Sequence, residues 1–171
     1  ENRIQYLDFG GDGRQRETPE NAIQLARAIR RLRPDCVLAP LPAENQHPDH
    51  AVVGRLARTA CRLARYGGLP ELQSHEPHKI ASLWFYAVTP GIAIQETAPI
   101  RFDITPFFDK WKELMECYQS QVTSRHYIDL QISRARQLGL LSGCDYATEL
   151  WPNDTPLVTR ISQVINTART F

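Results

Sequence analysis

Apolar residues recur along this chain at two different periods, and the switches between them mark its elements. Ile23, Ala26, Ile29 and Leu32 fall at helical spacing behind Thr18-Pro19-Glu20, which predicts an amphipathic helix over 19–32 with Thr18 as N-cap and Pro19 in first position. Cys36-Val37-Leu38-Ala39 is continuously apolar, as a buried parallel strand requires. Pro40 and Pro42 end it. Val53, Leu56, Ala60, Leu63 and Ala64 then follow one helical face from Pro48 to about Tyr66, and Gly67-Gly68 stops that helix. Residues 80–88 (IASLWFYAV) form a strand candidate closed by Thr89-Pro90-Gly91. Ile100, Phe102 and Ile104 alternate with Arg101 and Asp103, a strand with one polar face.

The remaining pattern is helical. Thr105-Pro106 opens a helix carrying Phe107, Trp111, Leu114, Met115 and Tyr118, and Ile128, Ile132, Ala135 and Leu138 define another, ended by Gly139. The aromatic stripe of the first reads as core or subunit interface. Leu157, Ile161, Val164, Ile165 and Ala168 suggest a terminal helix, and 146–151 is ambiguous. Residues 4–8 read as a short strand, and Phe9 to Gly13 as a glycine-rich turn. Strands alternating with crossovers of a dozen or more residues imply an α/β three-layer, mainly parallel (Rossmann-like) sheet with helices on both faces. The length of 171 residues suits a single domain, 1–171.

Composition narrows the function classes. Twenty Lys and Arg against nineteen Asp and Glu leave a formal charge of +1, which gives no field that calls for nucleic acid or an anionic membrane. Arg27, Arg30, Arg31 and Arg33 therefore read as a solvated helix end rather than a phosphate patch. The four Cys (36, 61, 117, 144) form no Cys-x-x-Cys pair and read as buried thiols of a reducing, cytoplasmic compartment. No apolar run is long enough for a membrane span, and no Gly-x-Gly-x-x-Gly or P-loop is present.

The chemistry concentrates in Gln46-His47-Pro48-Asp49-His50, between a strand and a helix. Ligands bind outside the carboxyl ends of strands in open α/β sheets. His47 falls near the N-cap and His50 about one turn in, so both rings can face one crevice. His, His and Asp are ligands for zinc or a similar divalent metal, but two His do not complete a site, and the blander reading is a helix cap bonded to backbone carbonyls. His75 and His78 lie in a polar loop, 69–79, where solvation is the expected fate.

Several separated segments resemble one family, the PIG-L-type (LmbE-like) N-acetylglucosaminyl deacetylases, and within it the deacetylases of bacillithiol synthesis. They are Leu7-Asp8…Asp12-Gly13, Ile29-Arg30-Arg31-Leu32-Arg33-Pro34-Asp35, His47-Pro48-Asp49-His50-Ala51-Val52-Val53-Gly54 and Phe102-Asp103-Ile104-Thr105. Lys110 with Tyr118, Ser120-Gln121, Arg134-Ala135-Arg136 to Gly139, and Tyr146-Ala147 before Trp151 continue the set. The resemblance implies hydrolysis of an N-acetyl group by a water activated on zinc or another divalent metal. In it His50 is the metal ligand, His47 stabilises the oxyanion or assists the departing amine, and Asp49 orients His47 and favours its charged form. Asp12 matches a turn that meets the sugar. The implied partner is a small amino-sugar conjugate, and the implied assembly a homo-oligomer, trimer or hexamer.

The sequence departs from the family at several points. Its Ala/Pro-His-Pro-Asp-Asp element, source of two more ligands and the base, has no match, so N-terminal strand or strands are expected to be missing from a chain that opens at Glu1. Asn45-Gln46 stand where the family often has Arg or Tyr, and Thr148 where bacillithiol-type enzymes usually have Glu. The alternatives are a catalytically inactive relative that binds sugar or forms oligomers, and an unrelated metal hydrolase pairing His47 and His50 with Asp8, Asp12 or Glu17.

Overall fold

A computed structural model describes residues 4–44, 46–89, 98–123 and 126–165. The chain divides into two compact units: residues 1–98 with 151–155, and residues 99–150 with 156–171.

In the first unit, α1 spans Pro19–Leu32, β1 Cys36–Pro40, α2 Pro48–Ala64 and β2 Ser82–Tyr86. α1 starts as expected: the Thr18 hydroxyl accepts the Asn21 N–H at 3.2 Å. It ends at Arg33, whose left-handed backbone (φ 49°) turns the chain and lets its N–H reach the Ile29 carbonyl. β1 and β2 pair in parallel, with Val37 opposite Leu83 and Ala39 opposite Phe85. These four residues face α1 and α2. The core there holds Ala26 and Ile29 of α1 and Ala57, Ala60, Cys61 and Ala64 of α2. Small side chains on both helices let their backbones come close. Gly54 takes this furthest: a Cβ there would sit 2.3 Å from the Pro40 carbonyl oxygen. The start of α2 is thereby pressed onto the end of β1.

Several expectations fail in this unit. Residues 4–8 form no strand; with no strand paired to them among the described residues, Ile4 and Tyr6 stay exposed. Arg30 is not solvated: it is 3% exposed and its guanidinium donates to the carbonyls of Ala64 (2.9 Å), Leu72 (2.6 Å), His75 (2.9 Å) and Tyr66. His78 is buried too, its Nε2 bonded to the Pro34 carbonyl at 2.8 Å and its N–H to Ala64 O at 2.9 Å. These bonds gather the open carbonyls at the end of α2. Of the cysteines only Cys61 is buried; Cys36 and Cys117 are exposed and Cys144 is intermediate. Cys36 alternates onto the face of β1 opposite α1 and α2, beside Leu38, which is 58% exposed.

The second unit contains β3 (Ile100–Asp103), α3 (Phe108–Glu116), α4 (Gln119–Val122), α5 (Tyr127–Leu140) and most of β4 (Ala147–Pro152). The ambiguous stretch 146–151 is therefore a strand. It runs antiparallel to β3, with Arg101 opposite Glu149 and their side chains 3.0 Å apart. The strand order is β1-β2-β4-β3, so the sheet is mixed rather than mainly parallel. The physical reason lies in β3, whose residues are all exposed: a solvated face suits antiparallel pairing, whereas parallel strands are buried on both sides. Tyr146 stacks on Phe108 with ring centroids 4.0 Å apart. The aromatic stripe is split, with Met115 buried and Phe107, Leu114 and Tyr118 exposed. The terminal helix is reduced to one 3₁₀ turn at Ile161–Gln163, and Ala168 lies outside the described residues.

Candidate functional site

Two strand ends and one helix start build the site, all within the first unit. His47 caps α2, and its Nδ1 accepts the Asp49 N–H at 3.4 Å. That bond uses the Nδ1 lone pair, so in the neutral ring Nε2 carries the hydrogen. Nε2 faces Asp12, whose Oδ1 is 3.3 Å away. Pro48 occupies the first position, where a missing N–H does no harm. His50 follows one turn later, and the two imidazoles lie 5.3 Å apart by ring centroid.

Asp49 is 6% exposed. Its Oδ2 accepts the Gly13 N–H at 2.6 Å and its Oδ1 the Gln15 N–H at 3.3 Å, which solvates the buried carboxylate with peptide dipoles. Oδ2 lies 3.9 Å from His47 Nδ1, outside hydrogen-bond range. Asp12, His47 and Asp49 each offer one ligand atom, all within 4.8 Å of one another. His50 Nδ1 is buried and has no hydrogen-bond partner among the described residues. A buried imidazole nitrogen without a partner is costly unless something outside the chain takes its lone pair or proton. The donor set, imidazole and carboxylate, fits a divalent cation of the zinc type.

The other carboxylates are engaged elsewhere. Asp8 accepts the Gly10 N–H at 3.0 Å, and Glu17 pairs with Arg55 at 2.6 Å. Thus Asp12, of the three acidic residues considered as partners, is the one at the histidines. His75 bonds Ser74, and His78 bonds Pro34.

Glu44 is a residue the sequence reading passed over. It is 5% exposed, three positions before His47. Its carboxylate accepts the N–H groups of Val88 (2.8 Å) and Thr89 (3.1 Å) and the Thr89 hydroxyl. Leu41 N–H meanwhile donates to the Tyr86 carbonyl at 3.0 Å. The loops leaving β1 and β2 are therefore tied together at their carboxyl ends, directly beside the histidines. A lone acid in a proline-flanked loop at a strand end was the available signal.

Two histidines and a buried carboxylate thus stand together at a helix start, beyond the carboxyl end of β1. Residues 2–61 match the sequence pattern of PIG-L, described as GlcNAc-PI de-N-acetylase. The solved structure of the conserved protein TT1542 from Thermus thermophilus is 33% identical, covers 90% of this chain and 67% of its own, and superposes with a TM-score of 0.77. The hydratase GalB from Pseudomonas putida, a 4-carboxy-2-hydroxymuconate hydratase, is 22% identical with a TM-score of 0.72 and coverage of 92% and 67%. An N,N'-diacetylchitobiose deacetylase from Pyrococcus horikoshii is 20% identical with a TM-score of 0.68, covering 81% and 53%. These last two share the fold. No curated protein sequence matches. The chain belongs to the PIG-L (LmbE-like) family. No helix among the described residues is long and apolar enough to cross a membrane.

Proposed function

We propose that this chain carries the His-Pro-Asp-His half of a zinc-dependent N-deacetylase acting on an N-acetylglucosamine-type conjugate, of which a bacillithiol-type amino-sugar is our first candidate. The observation that carries the reading is the buried Nδ1 of His50, without a hydrogen-bond partner among the described residues, beside His47 at the start of α2. Of the about three protein ligands a catalytic zinc takes, His50 is the one we assign here. Held by His50, a zinc or another divalent metal would supply Lewis-acid chemistry, polarising an acetamide carbonyl and activating water.

The chain's own residues then have distinct tasks. His47 keeps its proton-bearing Nε2 toward Asp12 and the open side of the site, where it can donate to a developing oxyanion or to a departing amine. Asp49 holds His47 through the backbone cap. Asp12, exposed beside His47, would meet the sugar. The exposed Phe107, Leu114 and Tyr118 support a homo-oligomer, trimer or hexamer, which light scattering would settle.

The test is metal content and amine release from N-acetylglucosamine conjugates by the natural polypeptide. His50→Ala should lose zinc. His47→Ala should keep zinc and slow turnover by about 10²-fold, the scale of a lost acid or oxyanion partner. A protein with no zinc and no released amine would be a catalytically inactive relative, and the reading would fall.

A further inference from the structure

The stretch between Asp8 and Thr18 has no regular secondary structure, yet it is tied to α2 at two points. Gly10, Gly11 and Gly13 adopt φ of 104°, 86° and 71°, a sharp bend open to few other residues. The bend presents the Gly13 and Gln15 N–H groups to the two oxygens of Asp49, across 36 and 34 residues of sequence. Just ahead of them the loop projects Asp12, whose side chain is 94% exposed and still reaches within 3.3 Å of His47 Nε2. An exposed acid on an untied loop gains little from such a contact, because ordering both partners offsets it. Here the ordering is supplied by bonds to a buried carboxylate.

The geometry at Asp49 separates two roles. Its hydrogen-bonded partners are the loop N–H groups at 2.6 and 3.3 Å, while His47 Nδ1 stands 3.9 Å from the nearer oxygen and is already occupied by the Asp49 N–H. We infer that the Asp49 side chain acts chiefly as the anchor of the 10–15 loop, and that Asp12, delivered by that loop, is the positioning residue of His47 at Nε2. Asp49 thus reaches the ring twice, through its own N–H on one nitrogen and through the loop on the other. The consequence for turnover rests on the deacetylase reading above; the anchor itself does not.

The test combines amide exchange with a double-mutant cycle. In the wild-type protein the Gly13 amide should exchange at least about tenfold more slowly than an unbonded loop amide. Free exchange there overturns the anchor without any variant. Asp49→Asn should raise Gly13 and Gln15 exchange by about tenfold or more, whereas Asp12→Asn should leave it within about twofold. Asp12→Asn should instead shift the ¹⁵N resonance of His47 Nε2; an unmoved resonance removes Asp12 from the ring. For turnover, Asp12→Asn should lower kcat about three- to tenfold alone and less than about twofold when added to Asp49→Asn, because both act through one contact. Fully multiplicative losses overturn the coupling. If the wild-type protein releases no amine, the deacetylase reading fails, and the exchange and resonance arms still decide the inference.

Discussion

Gly54→Ala sets two known effects against each other. In an exposed helix the change stabilises by about 1 kcal/mol, because alanine restricts the unfolded chain and shields the backbone. At Gly54 the new Cβ would lie 2.3 Å from Pro40 O, 2.9 Å from Pro42 N and 3.0 Å from the Leu41 carbonyl carbon. All three are backbone atoms at the end of β1, so no side chain can swing aside. Restoring ordinary contact requires α2 to retreat by roughly 1 Å, and overpacking of this kind costs about 1–3 kcal/mol. The backbone obstacle and the packed opposite side, where Leu56 and Ala60 are fully buried, place the cost toward the upper end. The net expectation is a loss of about 1–2 kcal/mol.

Urea denaturation followed by tryptophan fluorescence reads this directly, since Trp84 and Trp151 belong to the same unit as Gly54. With a slope of about 2 kcal/mol/M, the midpoint should fall by about 0.5–1 M. The retreat also shifts His47 and His50 against the loop that leads to them, so turnover should fall with it. An unchanged or raised midpoint would show that α2 does not press on β1 as described, and the close approach that sets the site would be wrong.

Arg30→Met should destabilise by about 3 kcal/mol, since it strips the carbonyls of Ala64, Leu72 and His75 of a buried cation; a loss under about 1 kcal/mol in the same titration would contradict that role. Glu44→Gln puts an amide donor against the Val88 and Thr89 N–H groups and should cost about 1–3 kcal/mol while speeding their amide exchange; unaltered exchange would break the proposed tie. Burial pushes the Cys61 thiol up to about 11. Because the folded value is the raised one, its contribution is complete below the unfolded thiol range near 9 and is lost as pH climbs toward 11, by about 3 kcal/mol at most. Stability of a Cys61→Ala variant should lack that alkaline fall, and a thiol reagent at pH 8 should find Cys36 and Cys117 but not Cys61 in the native state.

Local rules carried α1 and α2 almost to the residue, because capping and spacing act within a few positions. Thr18-Pro19 and His47-Pro48 each mark a start that the structure keeps. What the sequence hides is direction and partnership. β3 and β4 are short, and their antiparallel pairing depends on how the chain between them returns, which no local pattern states. Arg30 shows a subtler loss. It follows Ala26 by four positions, on the buried face, so spacing already placed it inside; its charge argued for solvent, and only the uncapped carbonyls of α2 and the following loop explain how it is accommodated. The candidate site divides in the same way. His47 and His50 were legible from the helix start, whereas the bonds from Gly13 and Gln15 to Asp49 span more than thirty residues.

The two buried carboxylates near the histidines follow one physical solution. Glu44 and Asp49 are both nearly inaccessible, and both accept hydrogen bonds from backbone N–H groups of distant loops. Peptide N–H donors come with a fixed backbone position, so each carboxylate fastens a distant loop while it is itself solvated. Glu44 binds the exit of β2 to the loop before His47, and Asp49 binds the glycine-rich loop to the residue after Pro48. The start of α2 is thus held on two sides by loops that carry no regular structure of their own. This accounts for a site placed on irregular segments yet held in place, with His50 Nδ1 buried and without a hydrogen-bond partner among the described residues.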